Sequence, residues 1–269
     1  MDMLHRIDGN LELRPMVVRD IPVAISIIRE YDDDDANEAQ ETYGNSISDQ
    51  FCLCENGTVI GVVGAKPILG TDGSFGLSWT YLHPQHRRTG KGTRMLTWMI
   101  EIMKERDGRK AFVHASDYMD PQLGDVYRDA RESYQQVGFA QEVRQADYYA
   151  PGESMLIYGL RLCEKELVQV VHNMQDVKLT DLDEIPETDG AYWLAWELVS
   201  QGQGTKPQDF QKVIDQVRSW DGRVIFMAFP SDVTNAPSLL TAARFKTAGK
   251  LIDYYEDGID EVHYRLEMS

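Results

Sequence analysis

"HRRTGKGTRML", residues His86 to Leu96, crowds basic side chains around two glycines in a chain that is acidic overall. The 269 residues contain 27 Lys and Arg against 44 Asp and Glu, a formal net charge of −17 at pH 7. Nucleic-acid backbones are bound by extended basic surfaces, which this composition argues against, whereas a short basic cluster suits a small anion. The stretch therefore predicts an anion site and no nucleic-acid partner.

The sequence around this stretch has the pattern of a strand, a loop and a helix. "SFGLSWTYL" (74–82) is typical of a strand, and a helix fits residues 90–106. Apolar side chains recur in that helix at helical spacing and would face a core: Met95, Leu96, Met99, Ile100 and Met103. The first turn of a helix leaves four backbone N–H groups unpaired and carries about half a positive charge. This arrangement therefore favours binding of a pyrophosphate.

The two glycines of the loop, Gly90 and Gly92, have no Cβ, so their backbone amides can approach phosphate oxygens closely. Side chains beside them add positive charge: Arg87, Arg88 and Lys91. Two common phosphate motifs do not fit. A P-loop would need glycine where Gln85 stands, and the dinucleotide fingerprint would need a third glycine where Met95 stands.

The pattern that does fit is R-x-x-G-x-G, residues 87–92, directly after "TYLHP" (80–84). A second match is "ARESYQQVGF" (130–139), a helix that carries Ala, Tyr and a Gly-Phe end. With these motifs the chain resembles the GNAT superfamily of N-acetyltransferases, and the element order agrees over most of 11–162. The resemblance implies an α/β (α+β) GNAT fold, with a mixed, mostly antiparallel central sheet flanked by helices.

By this resemblance the loop would bind the pyrophosphate of acetyl-CoA, and the backbone of Leu82 would bind the pantetheine arm. The cofactor-binding residues would then be Leu82, Arg87, Arg88, Thr89, Gly90, Lys91, Gly92 and Thr93. Tyr134 stands four residues before Gly138, where the family places its general acid. A phenol with a pKa of about 10 can protonate a thiolate whose thiol has a pKa of about 8.5. Simple packing of Tyr134 between helix and sheet is the alternative.

The general base is less well defined by the sequence. The strand Ser74–Leu82 carries no carboxylate, although some relatives use one there. His114 and Asp117 lie at the end of the next strand, near the expected entry of the acceptor, and are the catalytic candidates. A structural role for each, or a chain of water molecules, would serve as well. Tyr127 replaces an Asn that many relatives use to contact the cofactor.

The second half of the chain repeats part of the first. "FAQEVRQADYYAPGESMLIYGLRL" (139–162) aligns without a gap with "FKTAGKLIDYYEDGIDEVHYRLEM" (245–268), and Asp147 falls on Asp253. A shorter stretch before each hairpin is also similar, 107–117 and 221–232. Two unrelated hairpin ends are the alternative, but matched aromatic and acidic positions favour a repeat.

We therefore expect a GNAT domain at 1–162 in tandem with a shortened GNAT-like domain at 163–269. The second half has no R-x-x-G-x-G motif, and Leu240 stands where the first half has Tyr134. Acetyl transfer is therefore not expected there. Packing against the first domain, formation of a homodimer and shaping of the acceptor cleft are its candidate roles.

Composition sets further limits. Only three cysteines occur, Cys52, Cys54 and Cys163, too few for a four-ligand zinc site or a disulfide framework, so no metal is expected. No apolar run approaches the roughly 18 residues that span a membrane. "MDMLHRIDGN" has no apolar stretch of a secretory signal, and we expect a cytoplasmic protein.

The run Asp32–Asp35 lies in the region that walls the acceptor site in relatives, and would attract a cation; a solvated loop is the alternative. The sequence thus predicts an N-acetyltransferase that moves an acetyl group from acetyl-CoA to a primary amine of a small, cationic acceptor. Transfer would be direct, in a ternary complex. A non-catalytic acyl-CoA-binding sensor or regulatory module, and a structural protein with a vestigial fold, are the alternatives.

Overall fold

The computed structural model describes residues 5–166 and 168–268, so residues 1–4, 167 and 269 of the two predicted domains lie outside the described residues. The chain divides into two compact units. The first contains the residues up to Val113, Ala130–Ala140 and Leu160–Glu164, and the second contains His114–Asp129, Gln141–Gly159 and the residues from Lys165 onward. The hairpin at 141–159 is thus grouped with the C-terminal half. The domain boundary between 162 and 163 stays a prediction.

The first unit is built on a sheet whose strands neighbour one another in chain order. They are β1 (Arg6–Asp8), β2 (Leu11–Pro15), β3 (Gln50–Glu55), β4 (Thr58–Pro67), β5 (Ser74–Leu82) and β6 (Lys110–Ser116), of which the last three residues belong to the second unit. The pairs from β1 to β5 are antiparallel, and β6 is parallel to β5. The expected mixed, mostly antiparallel sheet is therefore confirmed.

Helices cover this sheet: α1 (Ile21–Arg29), α2 (Asp33–Asn45), α3 (Lys91–Glu105) and α4 (Arg128–Gln136). Side chains of α1 and α2 pack with Cys52, Cys54 and Val62 of the sheet. The helix α3 buries all five apolar residues that its spacing predicted, and begins one residue later than expected. The acidic run is not a loop, because Asp32 caps α2 and the next three residues form its first turn.

In the second unit, β7 (Met119–Asp120) and β8 (Gly124–Asp125) form a short antiparallel pair. The larger sheet contains β9 (Ala140–Ala150), β10 (Glu153–Arg161), β11 (Asp176–Glu184), β12 (Ala191–Val199), β13 (Val224–Pro230), β14 (Lys246–Glu256) and β15 (Ile259–Glu267). The first residue of β9 and the last two of β10 belong to the first unit. Their order is β10-β9-β14-β15-β13-β12-β11. The helices α5 (Pro207–Ser219) and α6 (Ala236–Ala242) contribute Phe210 and Leu240 to its apolar core.

The elements β11-β12-α5-β13-α6-β14-β15 repeat the order β4-β5-α3-β6-α4-β9-β10 of the first half, apart from the short pair β7 and β8 between β6 and α4. The likeness extends to single residues at the hairpins. Asp147 and Asp253 have φ of 55° and 53°, and each accepts a hydrogen bond of 2.8 Å from a glycine N–H five residues on. Such matched local geometry supports the interpretation of the second half as a shortened copy.

Among the described helices, none combines the length and the apolar character needed to cross a membrane.

Candidate active site

The predicted phosphate loop connects β5 to α3. A short 3-10 turn, Pro84–His86, follows the strand, and Gly90 precedes the helix in the left-handed conformation with φ of 79°. A Cβ added at Gly90 would meet no atom within 4 Å, and one at Gly92 would meet only a Leu82 side-chain atom at 3.9 Å. The space above the loop is therefore open.

The backbone amides of Gly90, Lys91 and Gly92 make no hydrogen bond within residues 5–166 and 168–268. They lie at the N-terminus of α3, a 15-residue helix whose dipole adds partial positive charge at this end. Such amides can donate hydrogen bonds to the oxygens of a phosphate without any rearrangement of the chain.

Arg87 is held in place by a residue that the sequence did not identify, Tyr31. The Arg87 Nε donates to the Tyr31 hydroxyl at 2.6 Å, and the guanidinium carbon lies 4.1 Å from the ring centroid. The same hydroxyl donates to the carbonyl oxygen of Leu82. Tyr31 therefore joins the end of β5 to the basic loop, which orients two of the predicted cofactor-binding residues.

Lys91 is compensated by a nearby acid. Its Nζ donates to Glu55 at 2.8 Å and lies 3.1 Å from His86 Nδ1. The hydrogen bond from Lys91 lowers the pKa of Glu55. Arg94 pairs with Asp8 at 3.3 Å. The basic cluster thus carries less net positive charge than its sequence suggests, and the backbone amides become more important for binding an anion.

The strands β5 and β6 pair only at their beginnings. Ser74, Phe75 and Gly76 face Lys110, Ala111 and Phe112, and within the described part of the chain the register is not continued beyond them. The second half of β5 thus keeps an open backbone edge toward that side. A gap of this kind offers main-chain groups to the amides of an extended arm such as pantetheine.

A bulge interrupts β5 next to this open edge. Val62 pairs with Tyr81 and Gly64 with Ser78, so one residue of β4 opposes two of β5. Trp79 takes a left-handed conformation with φ of 45°, which is strained for a non-glycine residue. Backbone strain of this sort is concentrated at functional sites.

Tyr134 lies on α4 against Thr80, the second residue of the bulge in β5. It is 6% exposed, its ring meets that of Phe139 at 6.0 Å, and its hydroxyl is hydrogen-bonded to the Thr80 side chain. Burial raises the pKa of Tyr134 to about 12, so the phenol keeps its proton at neutral pH. The geometry suits the general acid, and the buried ring also suits a packing role.

Of the two candidate bases, Asp117 has both carboxylate oxygens occupied. They accept from the Ser154 N–H at 2.6 Å and from Arg144 at 2.9 Å, which favours a structural role. The His114 side chain is exposed, and partial desolvation, with a smaller effect of His263, lowers its pKa. A neutral imidazole of such low pKa is a weak base.

The acidic run is mostly committed to the fold. The Asp32 carboxylate accepts from the amides of Asp34 and Asp35 at 2.8 and 3.0 Å, and Asp35 accepts from the Tyr81 hydroxyl. Burial raises the pKa of Asp35. Asp33 and Asp34 remain exposed.

A search of the described residues for three or more His, Cys, Asp or Glu side chains that could hold a metal ion found no such group.

Comparison with known proteins agrees with this arrangement. The family model "Acetyltransferase (GNAT) family" matches residues 18–139. A Desulfovibrio desulfuricans structure described as an acetyltransferase of the GNAT family is 20% identical, with a TM-score of 0.51, over 57% of this chain and 99% of that one. No curated protein sequence matches the chain.

Two other solved structures align over a similar share of the chain. The Escherichia coli ribosomal-protein-S18-alanine N-acetyltransferase is 16% identical, with a TM-score of 0.47, over 60% of this chain and 99% of its own. A Salmonella typhimurium protein, solved with its cofactor acetyl-CoA, is 14% identical, with a TM-score of 0.48, over 61% and 100%. Similarity at these identities concerns the fold.

Proposed function

Because residues 18–139 are a domain of the GNAT acetyltransferase family, we propose that the chain is an acetyl-CoA-dependent N-acetyltransferase acting on a primary amine of a small acceptor. The observation that carries this proposal is the set of amides at Gly90, Lys91 and Gly92, which have no partner among the described residues and lie at a helix N-terminus, with open space beside both glycines. The amine is a cation in solution, and the exposed Asp34 contributes to the negative field that attracts it, whereas Asp33 pairs with Arg29 at 3.4 Å.

The residues present fit acetyl-CoA at two places. The loop would hold the diphosphate through its amides and its arginines, because the hydroxyls of Thr89 and Thr93 already donate to His86 and Gln136. The part of β5 that does not pair with β6 would hold the pantetheine arm, with the Leu82 carbonyl already accepting from Tyr31. When bound, the thioester supplies an activated acetyl group.

In the proposed reaction the neutral amine nitrogen forms a bond to the acetyl carbon, and the bond between that carbon and sulfur breaks. Tyr134 holds a proton at its phenolic oxygen and gives it to the departing sulfur, while the amine loses one proton. His114 and Asp117 remain the side-chain candidates for that second proton. The lowered pKa of His114 and the occupied carboxylate oxygens of Asp117 favour a chain of water molecules to solvent.

The second half has no part in acetyl transfer in this proposal. We include formation of a homodimer among its roles, and sedimentation of the full chain measures it directly. The cytoplasm is the proposed location, because all three cysteines are free thiols, as expected of a reducing compartment.

A thermal-shift series with acetyl-CoA tests the cofactor. Ligand at a hundred times its Kd adds about 2.7 kcal/mol of stability, and acetylpantetheine, which lacks the diphosphate, should add none at the same concentration. Free thiol release with a panel of primary amines then tests the reaction. Binding of acetyl-CoA without thiol release in the presence of any amine would favour an acyl-CoA sensor. Absence of binding would refute both the acetyltransferase and the sensor.

A further inference from the structure

The first unit contains a cavity that the phosphate loop and Tyr134 do not use. Its volume is about 450 Å³, and it is bordered by the end of α2, the start of β3, the end of β4 and the first half of β5. Its wall includes Asn45, Gln50, Lys66, Ser78 and Trp79. Its size suits a small molecule.

Gln50 forms a polar part of the cavity wall. Its side chain is 4% exposed, and its Oε1 atom has no hydrogen-bond partner among the described residues. Gln50, Gly64 and Ser78 pair in a row across three strands. A Cβ at Gly64 would come closer than 3.0 Å to both the Gln50 amide and the Ser78 hydroxyl, so the glycine makes room for them.

A buried oxygen that accepts no hydrogen bond is uncommon in folded proteins, so a donor from outside the chain is expected. An N–H group of a ligand in the cavity would supply it, and the neighbouring Ser78 hydroxyl can accept a second N–H. The bulge at Trp79 begins at the next residue of β5 and leads to Thr80, the partner of Tyr134. An amine at Gln50 and Ser78 would therefore lie beside the strand segment that the proposed reaction uses.

Lys66 gives the cavity a positive charge at its other end. It stands on the same face of β4 two residues after Gly64, about 7 Å away along the strand. Lys66 is exposed and makes no ion pair with any residue that the structure describes. The acid in the cavity, Asp49, is already paired with Arg106 at 2.7 Å. The cavity therefore has one uncompensated cation.

We propose that this cavity binds the acceptor, and that the acceptor is an amino-carboxylate such as an amino acid. Its amine donates to Gln50 and Ser78, and its carboxylate pairs with Lys66. This inference rests on the proposed acetyl transfer for its kinetic readout, whereas the binding of an amino acid to the cavity can be measured without acetyl-CoA.

Matched pairs of probes test it on the full chain: L-alanine against ethylamine, L-lysine against cadaverine and L-phenylalanine against phenethylamine. Wild type should acetylate the amino acid of at least one pair with a kcat/KM about fivefold higher, or more, than its carboxylate-free partner. Lys66→Met should raise the KM of that amino acid about fivefold and leave that of the partner unchanged. Lys66→Glu should reverse the preference.

Lys104→Met, at an exposed position on α3, is the matched control and should change neither KM. Gln50→Leu should raise the KM of both members of the pair, because both carry the amine. The KM of acetyl-CoA should stay at its wild-type value in all four variants. Equal use of both members of every pair by wild type, or an equal rise of both KM values in Lys66→Met, would overturn the inference.

Calorimetry separates this inference from the proposed function. If acetyl-CoA does not bind, the proposed acetyl transfer is refuted. Titration of the three amino acids into wild type and Lys66→Met still tests whether the cavity binds an amino acid. Binding that Lys66→Met weakens and Lys104→Met does not would support it, and no binding of any of the three would refute it.

Discussion

Two loops occupy the same place in the repeated plan of this chain, one between β5 and α3 and one between β12 and α5. They share a Gly-x-Gly-Thr order, at 90–93 and 202–205. In the second loop the Gly202 amide donates to Asp176 at 2.6 Å and the Thr205 amide to Val177 at 2.8 Å. The amides of Gly90, Lys91 and Gly92 have no such partners among the described residues, so an anion site requires available N–H groups as well as glycines.

The two loops also differ in the space around them. A Cβ at Gly204 would meet Asp176 Cβ at 2.6 Å, whereas Gly92 has open space. The helix after the second loop begins with Pro207, which has no N–H, and the Lys206 amide donates to Asp209 at 3.0 Å. The second loop is thus closed by its own chain, as expected of a half without acetyl transfer.

The catalytic position shows the largest expected difference between the halves. Tyr134→Phe should lower kcat by about 10²–10⁴-fold with the Kd of acetyl-CoA retained, because only the proton of the general acid is lost. Stopped-flow detection of free thiol and calorimetry measure the two quantities. Tyr264→Phe, a buried tyrosine of the second core, is the control and should keep wild-type turnover. Unchanged turnover in Tyr134→Phe would refute the general-acid role and indicate that the ring only packs between helix and sheet.

A reciprocal pair of glycine substitutions tests the loops themselves. Gly92→Val should weaken acetyl-CoA about 10–100-fold with little change in stability, because the side chain covers amides that bind the diphosphate. Gly204→Val should leave the Kd unchanged and cost about 1–3 kcal/mol of unfolding free energy through overpacking. Calorimetry and urea denaturation measure both. If Gly204→Val also weakened acetyl-CoA, the separation of roles between the loops would be wrong.

The compensated lysine of the first loop gives a smaller effect in the opposite direction. Glu55→Gln should tighten acetyl-CoA binding by about two- to fivefold, because Lys91 is freed and a negative charge beside the diphosphate is removed. Glu267→Gln, in the second unit, provides the control with the same change of net charge. Binding measured at two salt concentrations should show the gain shrinking as ionic strength rises, and a weaker Kd in Glu55→Gln would contradict the assignment.

The features of this site that depend on residues close together in the chain could be predicted from the sequence. The strand, loop and helix and the buried face of α3 follow from periodicity and glycine positions, and Tyr134 follows from its helix motif. Tyr31 could not be found in this way, because its contact with Arg87 joins residues 56 positions apart. The bulge at Trp79 depends on the register between two strands, and a sequence pattern does not fix that register.

The smallest expected difference concerns the hairpin turns, where the two halves agree. Asp147→Ala and Asp253→Ala should each cost about 1 kcal/mol of unfolding free energy, because each removes the acceptor of a glycine N–H. The hydrogen bond from Gly152 lowers the pKa of Asp147, and for Asp253 the effect of burial is outweighed by Lys165 and Gly258. Folded pKa values below the unfolded ones mean stability that is present at neutral pH and is lost as the pH falls through the folded pKa. Thermal melts from pH 7 downward should therefore show the difference in melting temperature between wild type and each variant shrinking in acid. A difference for only one of the two variants would show that the hairpins match in geometry but not in stability.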